Sequence, residues 1–129
     1  PVRKIFGDQR YVESWPDEFP NVHVVRNPGV NAALWNIQNY TVSINDGKVY
    51  IEGGPLIFYH FSGLTIISRN EFNINWYYHI DDEMVLNMIY KPYVYTLVNV
   101  MNEMRVHFPW FNAGFLPREY TPDTHYLAV

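Results

Sequence analysis

The chain has 129 residues, which is about the length of one ordinary domain. Hydrophobic residues make up 48% of it and aromatic residues 18%, so the chain can bury a core and does not have the composition of a disordered protein. A formal net charge of −4, without any cluster of Lys and Arg, argues against a face that binds nucleic acid. The lack of cysteine excludes disulfides, thiolate catalysis and zinc sites with cysteine ligands. It also leads us to expect a cytoplasmic protein. No apolar run is long enough for a membrane span.

The first 40 residues predict short elements and a loop. Residues 8–15, DQRYVESW, favour a short helix that begins at Asp8 and ends before Pro16. A short strand is expected over 21–25, NVHVV. Asn, Pro and Gly are dense over 26–40, which predicts an irregular segment there.

The middle of the chain predicts strands. Asp-Gly between two β-prone runs is a strong hairpin signal and predicts a hairpin over 41–51. The apolar run over 55–61 predicts a central strand buried on both faces. Apolar and polar residues alternate only weakly over 64–80, and this pattern fits either a strand or a loop.

The last third changes to helical periodicity. Over 86–104 apolar residues recur at intervals of four and three positions, which predicts an amphipathic helix. Acidic residues lie at the start of this helix, as the helix dipole favours. Pro92 either kinks one long helix or opens a second, and we expect two helices, over 82–90 and 92–107. The tail after them is rich in Pro and aromatic residues and should be irregular.

His60 is the first candidate functional residue. A lone histidine in a buried strand is most often a core residue with one satisfied ring nitrogen. The functional alternative is a metal ligand at a strand end that opens onto a cleft, and the turn at Ser62-Gly63 would supply that opening.

Two more candidates come from amide and aromatic side chains. Asp8 beside Gln9 is explained by a helix cap, but the pair also offers donors and acceptors for sugar hydroxyls. Trp35 beside Asn36, in NAALWN, either anchors the loop on the core or holds a sugar or base against its ring. The acids near His79 are explained by the start of a helix.

The order of these features resembles a known family. FGDQRYVESWPDEFPNVHVVRNPGVNAALWN followed by GGPLIFYHFSGL is similar to the C-terminal part of GT-A-fold glycosyltransferases related to the glycogenin and lipopolysaccharide galactosyltransferase family. The resemblance implies a mixed α/β fold, a short mixed sheet with a hairpin followed by C-terminal helices. It implies that 1–129 is a single C-terminal fragment of a GT-A domain, with the sheet and the site in 1–66 and the helices in 81–111, and that the half with an Asp-x-Asp motif lies outside it.

The resemblance also implies roles for individual residues. Asp8 and Gln9 match the catalytic motif beside the donor-sugar pocket, and His60 matches the ligand of a divalent metal, Mn²⁺ or Mg²⁺. Gly63 matches the glycine of the family's HxxG setting and is a substrate-binding candidate, since glycine lets the backbone approach a phosphate closely; Ile66 stands where better-known members have a phosphate-binding lysine. Trp35 and Asn36 are the remaining substrate-binding candidates.

The implied activity is metal-assisted transfer of a sugar from a nucleotide-diphosphate donor, such as a UDP-sugar, to a glycan or other acceptor. The isolated fragment should be inactive, and its exposed strand edges should favour a homodimer. The alternative is a non-catalytic carbohydrate-binding or protein-interaction module, which would bind its partner without UDP or manganese.

Overall fold

The computed structural model describes residues 9–112, 114–122 and 125–129, with the backbone alone for Gln9. Its first elements are two single-turn helices, α1 (Gln9–Val12) and α2 (Trp15–Glu18). The prediction that the helix ends before Pro16 is therefore wrong. Pro16 lies in the first turn of α2, where a proline fits because the missing N–H would have had no helical partner.

The predicted strand over 21–25 does not form. Residues 22–27 have no regular secondary structure, and Val24 and Val25 are exposed, because no strand among the described residues pairs with this segment. The segment expected to be irregular holds three short elements instead: a 3₁₀ turn (Pro28–Val30), strand β1 (Ala32–Ala33) and helix α3 (Leu34–Ile37).

The predicted hairpin is confirmed. Strands β2 (Val42–Asn45) and β3 (Lys48–Ile51) pair antiparallel across Asp46 and Gly47, whose φ angles of 49° and 72° suit a tight hairpin turn. A second tight turn adds β4 (Gly54–Pro55) to the same sheet.

The prediction of a central strand buried on both faces over 55–61 is wrong. Pro55 ends β4, and only β5 (Tyr59–His60) is assigned as a strand over 56–61, as a two-residue parallel partner of β1. Ile57 and Phe58 are 66% and 56% exposed, and their backbone N–H groups donate to the Gly29 carbonyl rather than to a strand.

The third sheet uses the end of the chain. It contains β6 (Thr65–Ile66), β7 (Glu71–Asn73) and β8 (Tyr126–Ala128), all antiparallel. The tail was expected to be irregular, and β8 corrects that expectation. Its pairing depends on β7, more than fifty residues earlier, and so has no local signal.

The C-terminal helix is continuous, and the expectation of two separate helices is wrong. Helix α4 (Glu83–Val85) runs through a π turn (Leu86–Tyr90) into α5 (Lys91–His107), with helical backbone angles at both joins. In a regular helix the ring of Pro92 would collide with the carbonyl of Met88, and the wider π turn just before it relieves that crowding.

The helix and the three small sheets share one core, which makes the fold mixed α/β, as expected. The buried cluster consists of Ala32, Leu34, Ile37, Ile51, Phe72, Ile74, Ile80, Val85, Ile89, Tyr90 and Val94. No helix in the described part of the chain has the length and apolar character needed to cross a bilayer.

Candidate functional site

Side chains in and after β5 alternate between the core and the surface. Tyr59 and Phe61 point toward the C-terminal helix, where the Phe61 ring stacks on Tyr93 at 3.8 Å between centroids and the Tyr59 ring meets Tyr90 edge to face at 5.6 Å. Because successive side chains of a strand point to opposite faces, His60 faces outward. Its exposed imidazole excludes the enclosed core histidine as an explanation of this residue.

Trp35 provides the surface against which His60 packs. The register of β1 and β5 places Ala33 opposite His60, and Trp35 follows two residues later in α3. The two rings meet edge to face, with centroids 5.0 Å apart and planes at 61°. Trp35 is 38% exposed and His60 is exposed too, so an indole and an imidazole lie side by side at the surface.

Asn36 fixes the loop before α3. Its side-chain oxygen accepts a hydrogen bond from the backbone N–H of Ala33 at 2.8 Å, and its side-chain nitrogen donates to the carbonyl of Asn31 at 2.8 Å. Both ends of this amide are engaged within the protein. Its direct part in the site is therefore to hold Trp35 and β1 in position.

The turn after β5 requires glycine. Gly63 has a φ of +79°, and a Cβ at this position would lie 2.9 Å from the backbone nitrogen of Trp76. The fully buried Asn75 fixes the same turn, because its side-chain nitrogen donates to the carbonyl of Ser62 at 2.7 Å. Its side-chain oxygen accepts from the N–H groups of Tyr77 and Tyr78.

Sequence reasoning missed Asn75. The available signal was the pair of asparagines, Asn73 and Asn75, in an otherwise apolar stretch. Both are fully buried, and buried amides are there to satisfy backbone groups.

The predicted catalytic pair falls at the edge of the described residues. Asp8 lies outside them, and Gln9 is described only as the first residue of α1. Their roles therefore stay predictions.

A divalent metal would find one ligand at this site. His60 has an exposed imidazole, but within the described ranges no three His, Asp or Glu side chains gather as a metal-binding group. Metal sites in catalysis use about three protein ligands. The described residues do not make a complete site, and we derive no chemical step through a metal from them.

The tyrosines beneath His60 are structural. Burial and the neighbouring Tyr90 raise the pKa of the Tyr59 phenol far above its ordinary value, and burial also raises the pKa of Tyr90. Both phenols are neutral near pH 7, and their oxygens lie 3.4 Å apart. They dock β5 on the helix rather than exchanging protons with a substrate.

A separate cluster joins His79, which precedes the C-terminal helix in the chain, to His125, which follows it. The Nδ1 atom of His79 is 2.6 Å from Nε2 of His125, and its Nε2 atom is 3.3 Å from the carboxylate of Asp81. The backbone N–H of Ile80 donates to His125 at 3.2 Å. Burial, followed by the adjacent His79, lowers the pKa of His125. Sequence reasoning missed His125 because the pair is 46 residues apart.

Two curated proteins of Bacillus subtilis (strain 168) are similar to this chain. It is 54% identical over 127 residues to the uncharacterized protein YfnD, an alignment that covers 98% of this chain and 41% of that protein. It is 39% identical over 115 residues to the uncharacterized protein YfnF, covering 88% of this chain and 37% of that protein. No protein-family model matches the chain, and no solved structure matches it.

The chain thus spans about two fifths of the length of these relatives. Their similarity runs through nearly all of the present chain, including the loop with Trp35 and the segment with His60 in the longer of the two alignments.

Proposed function

We propose that this chain is the C-terminal part of a GT-A-fold glycosyltransferase that transfers a sugar from a nucleotide-diphosphate donor to a glycan or other acceptor. The observation that carries the proposal is the pairing of Trp35 and His60. These residues are 25 positions apart, belong to the two segments that carry the family resemblance, and form one exposed surface.

The chemistry of that surface supports the proposal. The indole of Trp35 gives a flat apolar face for the ring of a sugar or base, and Asn36 keeps the indole in place. The exposed imidazole of His60 packs against Trp35, and it can act as one metal ligand.

The remaining roles follow from the resemblance. Asp8 and Gln9 would orient the donor sugar, and Gly63 would let backbone approach the phosphates. A bound Mn²⁺ or Mg²⁺ would neutralise charge on the departing diphosphate. Its other ligands would come from outside the described residues.

Calorimetry with the intact natural protein tests this assignment. Uridine diphosphate is titrated into the protein with and without MnCl₂, and the nucleotide should bind at least about tenfold more weakly without the metal. The His60→Ala variant should lose that metal dependence, since a ligand of the metal is removed. His23→Ala is the matched control, because His23 is exposed in an irregular segment, whereas the ring that contacts Trp35 is that of His60.

The aromatic face has its own variant. Trp35→Ala should weaken binding of a UDP-sugar by about tenfold through the loss of stacking, whereas Trp110→Ala should not, because Trp110 is 62% exposed beyond the end of α5. If uridine, guanosine, cytidine and thymidine diphosphates all bind without regard to MnCl₂, or not at all, the proposal is wrong. Glycan binding without nucleotide or metal would favour the carbohydrate-binding module instead.

A further inference from the structure

A polar pocket of about 500 Å³ lies on the Asn36 side of α3. Its volume is within the range of about 300–1,000 Å³ found for small-molecule sites. The residues that matter to the argument come from the loop before β1, from α3 and the loop after it, and from the turn after β3; they are Arg26, Asn27, Asn31, Asn36, Tyr40 and Glu52.

Asn27, which lines the pocket, is held by its neighbours. The side-chain oxygen of Asn27 accepts a hydrogen bond from the N–H of Gly29 at 2.9 Å. A Cβ on Gly54 would lie 2.8 Å from that oxygen, and a Cβ on Gly29 would lie 3.1 Å from it. Asn27 is therefore enclosed by two positions that must stay glycine, which fixes its amide.

Glu52, which also lines the pocket, is held as well. One carboxylate oxygen of Glu52 accepts from the N–H of Thr41 at 2.6 Å, and the N–H of Glu52 donates to the carbonyl of Thr41 at 3.0 Å. Glu52 has a φ of 51°, a backbone conformation that non-glycine residues seldom adopt. These contacts engage one carboxylate oxygen of Glu52, which lines the pocket, and leave the second oxygen as a further acceptor.

Several donors remain available beside that acceptor. Within the part of the chain that the structure describes, the guanidinium of Arg26, the side-chain nitrogen of Asn27 and the side-chain amide of Asn31 have no hydrogen-bond or ion-pair partner. The half-buried ring of Tyr40 adds an aromatic face. Fixed donors and acceptors next to an aromatic ring match a ligand with many hydroxyl groups.

We propose that this pocket binds a hydroxyl-rich carbohydrate and that this carbohydrate is the acceptor in the reaction proposed above. The acceptor role rests on the proposed function; the carbohydrate site does not. Asn36 follows Trp35 directly, so the pocket adjoins the surface assigned to the donor. The charges of Arg26 and Glu52 offset each other, which favours a neutral sugar over a phosphate.

Saturation-transfer NMR and calorimetry with the intact protein test the site. The probes are the methyl glycosides of glucose, galactose, N-acetylglucosamine and rhamnose. At least one should bind, and Asn31→Ala and Arg26→Ala should each weaken it about tenfold through the loss of one or two hydrogen bonds. Asn45→Ala and Arg10→Ala are the matched controls, since both residues are exposed outside the pocket, and both should leave the affinity unchanged.

Three results would overturn the inference: binding of none of the glycosides, equal loss in the control variants, or displacement of the glycoside by inorganic phosphate or pyrophosphate. Its failure is distinguishable from failure of the proposed function. Turnover of a nucleotide sugar without glycoside binding in this pocket contradicts the pocket alone. Glycoside binding without any turnover of a nucleotide sugar contradicts the acceptor role and the proposed transferase, and keeps the pocket as a carbohydrate site.

Discussion

At the scale of single residues, the site depends on side chains that hold backbone in place. Asn75 is fully buried and satisfies the carbonyl of Ser62 and two backbone N–H groups after it. These partly buried groups would lose these hydrogen bonds if the amide were removed. The turn that follows His60 therefore depends on a residue that no sequence motif identified.

We expect Asn75→Ala to lower the free energy of unfolding by about 2 kcal/mol, the cost of leaving buried polar groups unpaired. Urea unfolding followed by tryptophan fluorescence measures the change. Asn45→Ala, at an exposed hairpin position, should stay within about 0.5 kcal/mol of the natural protein. Equal effects of the two substitutions would contradict the role given to Asn75.

The two glycine turns give a second residue-scale prediction. Gly47 and Gly63 both have positive φ angles, but a Cβ at Gly47 would meet open space, whereas one at Gly63 would lie 2.9 Å from backbone. Gly47→Ala should cost about 1 kcal/mol, the penalty of the left-handed conformation alone. Gly63→Ala should cost more, because the backbone at Trp76 must also shift, and thermal unfolding of the two variants measures the difference. A smaller cost at Gly63 than at Gly47 would contradict this account of the turn.

At the scale of elements, sequence reasoning succeeded where the signal is local. Asp46-Gly47 between β-prone runs determines the hairpin, because the turn itself requires those residues. It failed for β5 and β8, whose partners are 27 and more than fifty residues away and leave no local pattern. It also failed at Pro92, since a π turn has no recognised sequence pattern here.

The start of the C-terminal helix is set by one of two adjacent aspartates. The carboxylate of Asp82 accepts from the N–H groups of Met84 and Val85, whereas Asp81 turns toward His79. Asp82→Ala should therefore lower the unfolding free energy by about 1 kcal/mol. Asp81→Ala should have a much smaller effect, because its contact with His79 is exposed to solvent. Circular dichroism during denaturation compares them, and a larger loss for Asp81→Ala would reject the cap assignment.

The contact between His79 and His125 predicts a pH effect on stability. The pKa of His125 is lower in the folded chain than in the unfolded chain, so the unfolded chain binds the proton more readily. Stability is fully present above the unfolded pKa of about 6.5 and is lost as the pH falls toward the folded pKa. The groups facing His125 are His79, whose charge opposes protonation, and Asp81, whose charge favours it.

Urea unfolding at several pH values between about 8 and about 5, on both sides of the ordinary histidine pKa, tests this effect. The free energy of unfolding should fall more steeply below about pH 6.5 in the natural protein than in His125→Gln, which keeps an acceptor for Ile80 but does not titrate. Parallel pH profiles for the two proteins would contradict the prediction.

At the scale of the whole molecule, the small sheets leave much apolar and backbone surface open. The β1–β5 pair has only two strands, and Ile57 and Phe58 are exposed beside it. Open strand edges and apolar surface favour association with a second chain. We expect the 129-residue chain to self-associate, and sedimentation equilibrium showing a clean monomer of 15.3 kDa at tens of micromolar would contradict this expectation.

The central claim is that Trp35 and His60 belong to the donor site of a glycosyltransferase. The most direct measurement is release of nucleoside diphosphate from a panel of nucleotide sugars by the intact protein with MnCl₂, together with its variants. The account predicts turnover of at least one donor, a loss of at least about a hundredfold in His60→Ala, equivalent to about 2.7 kcal/mol, and little change in His23→Ala. Turnover that is equally fast in His60→Ala, or no turnover of any donor, would contradict it.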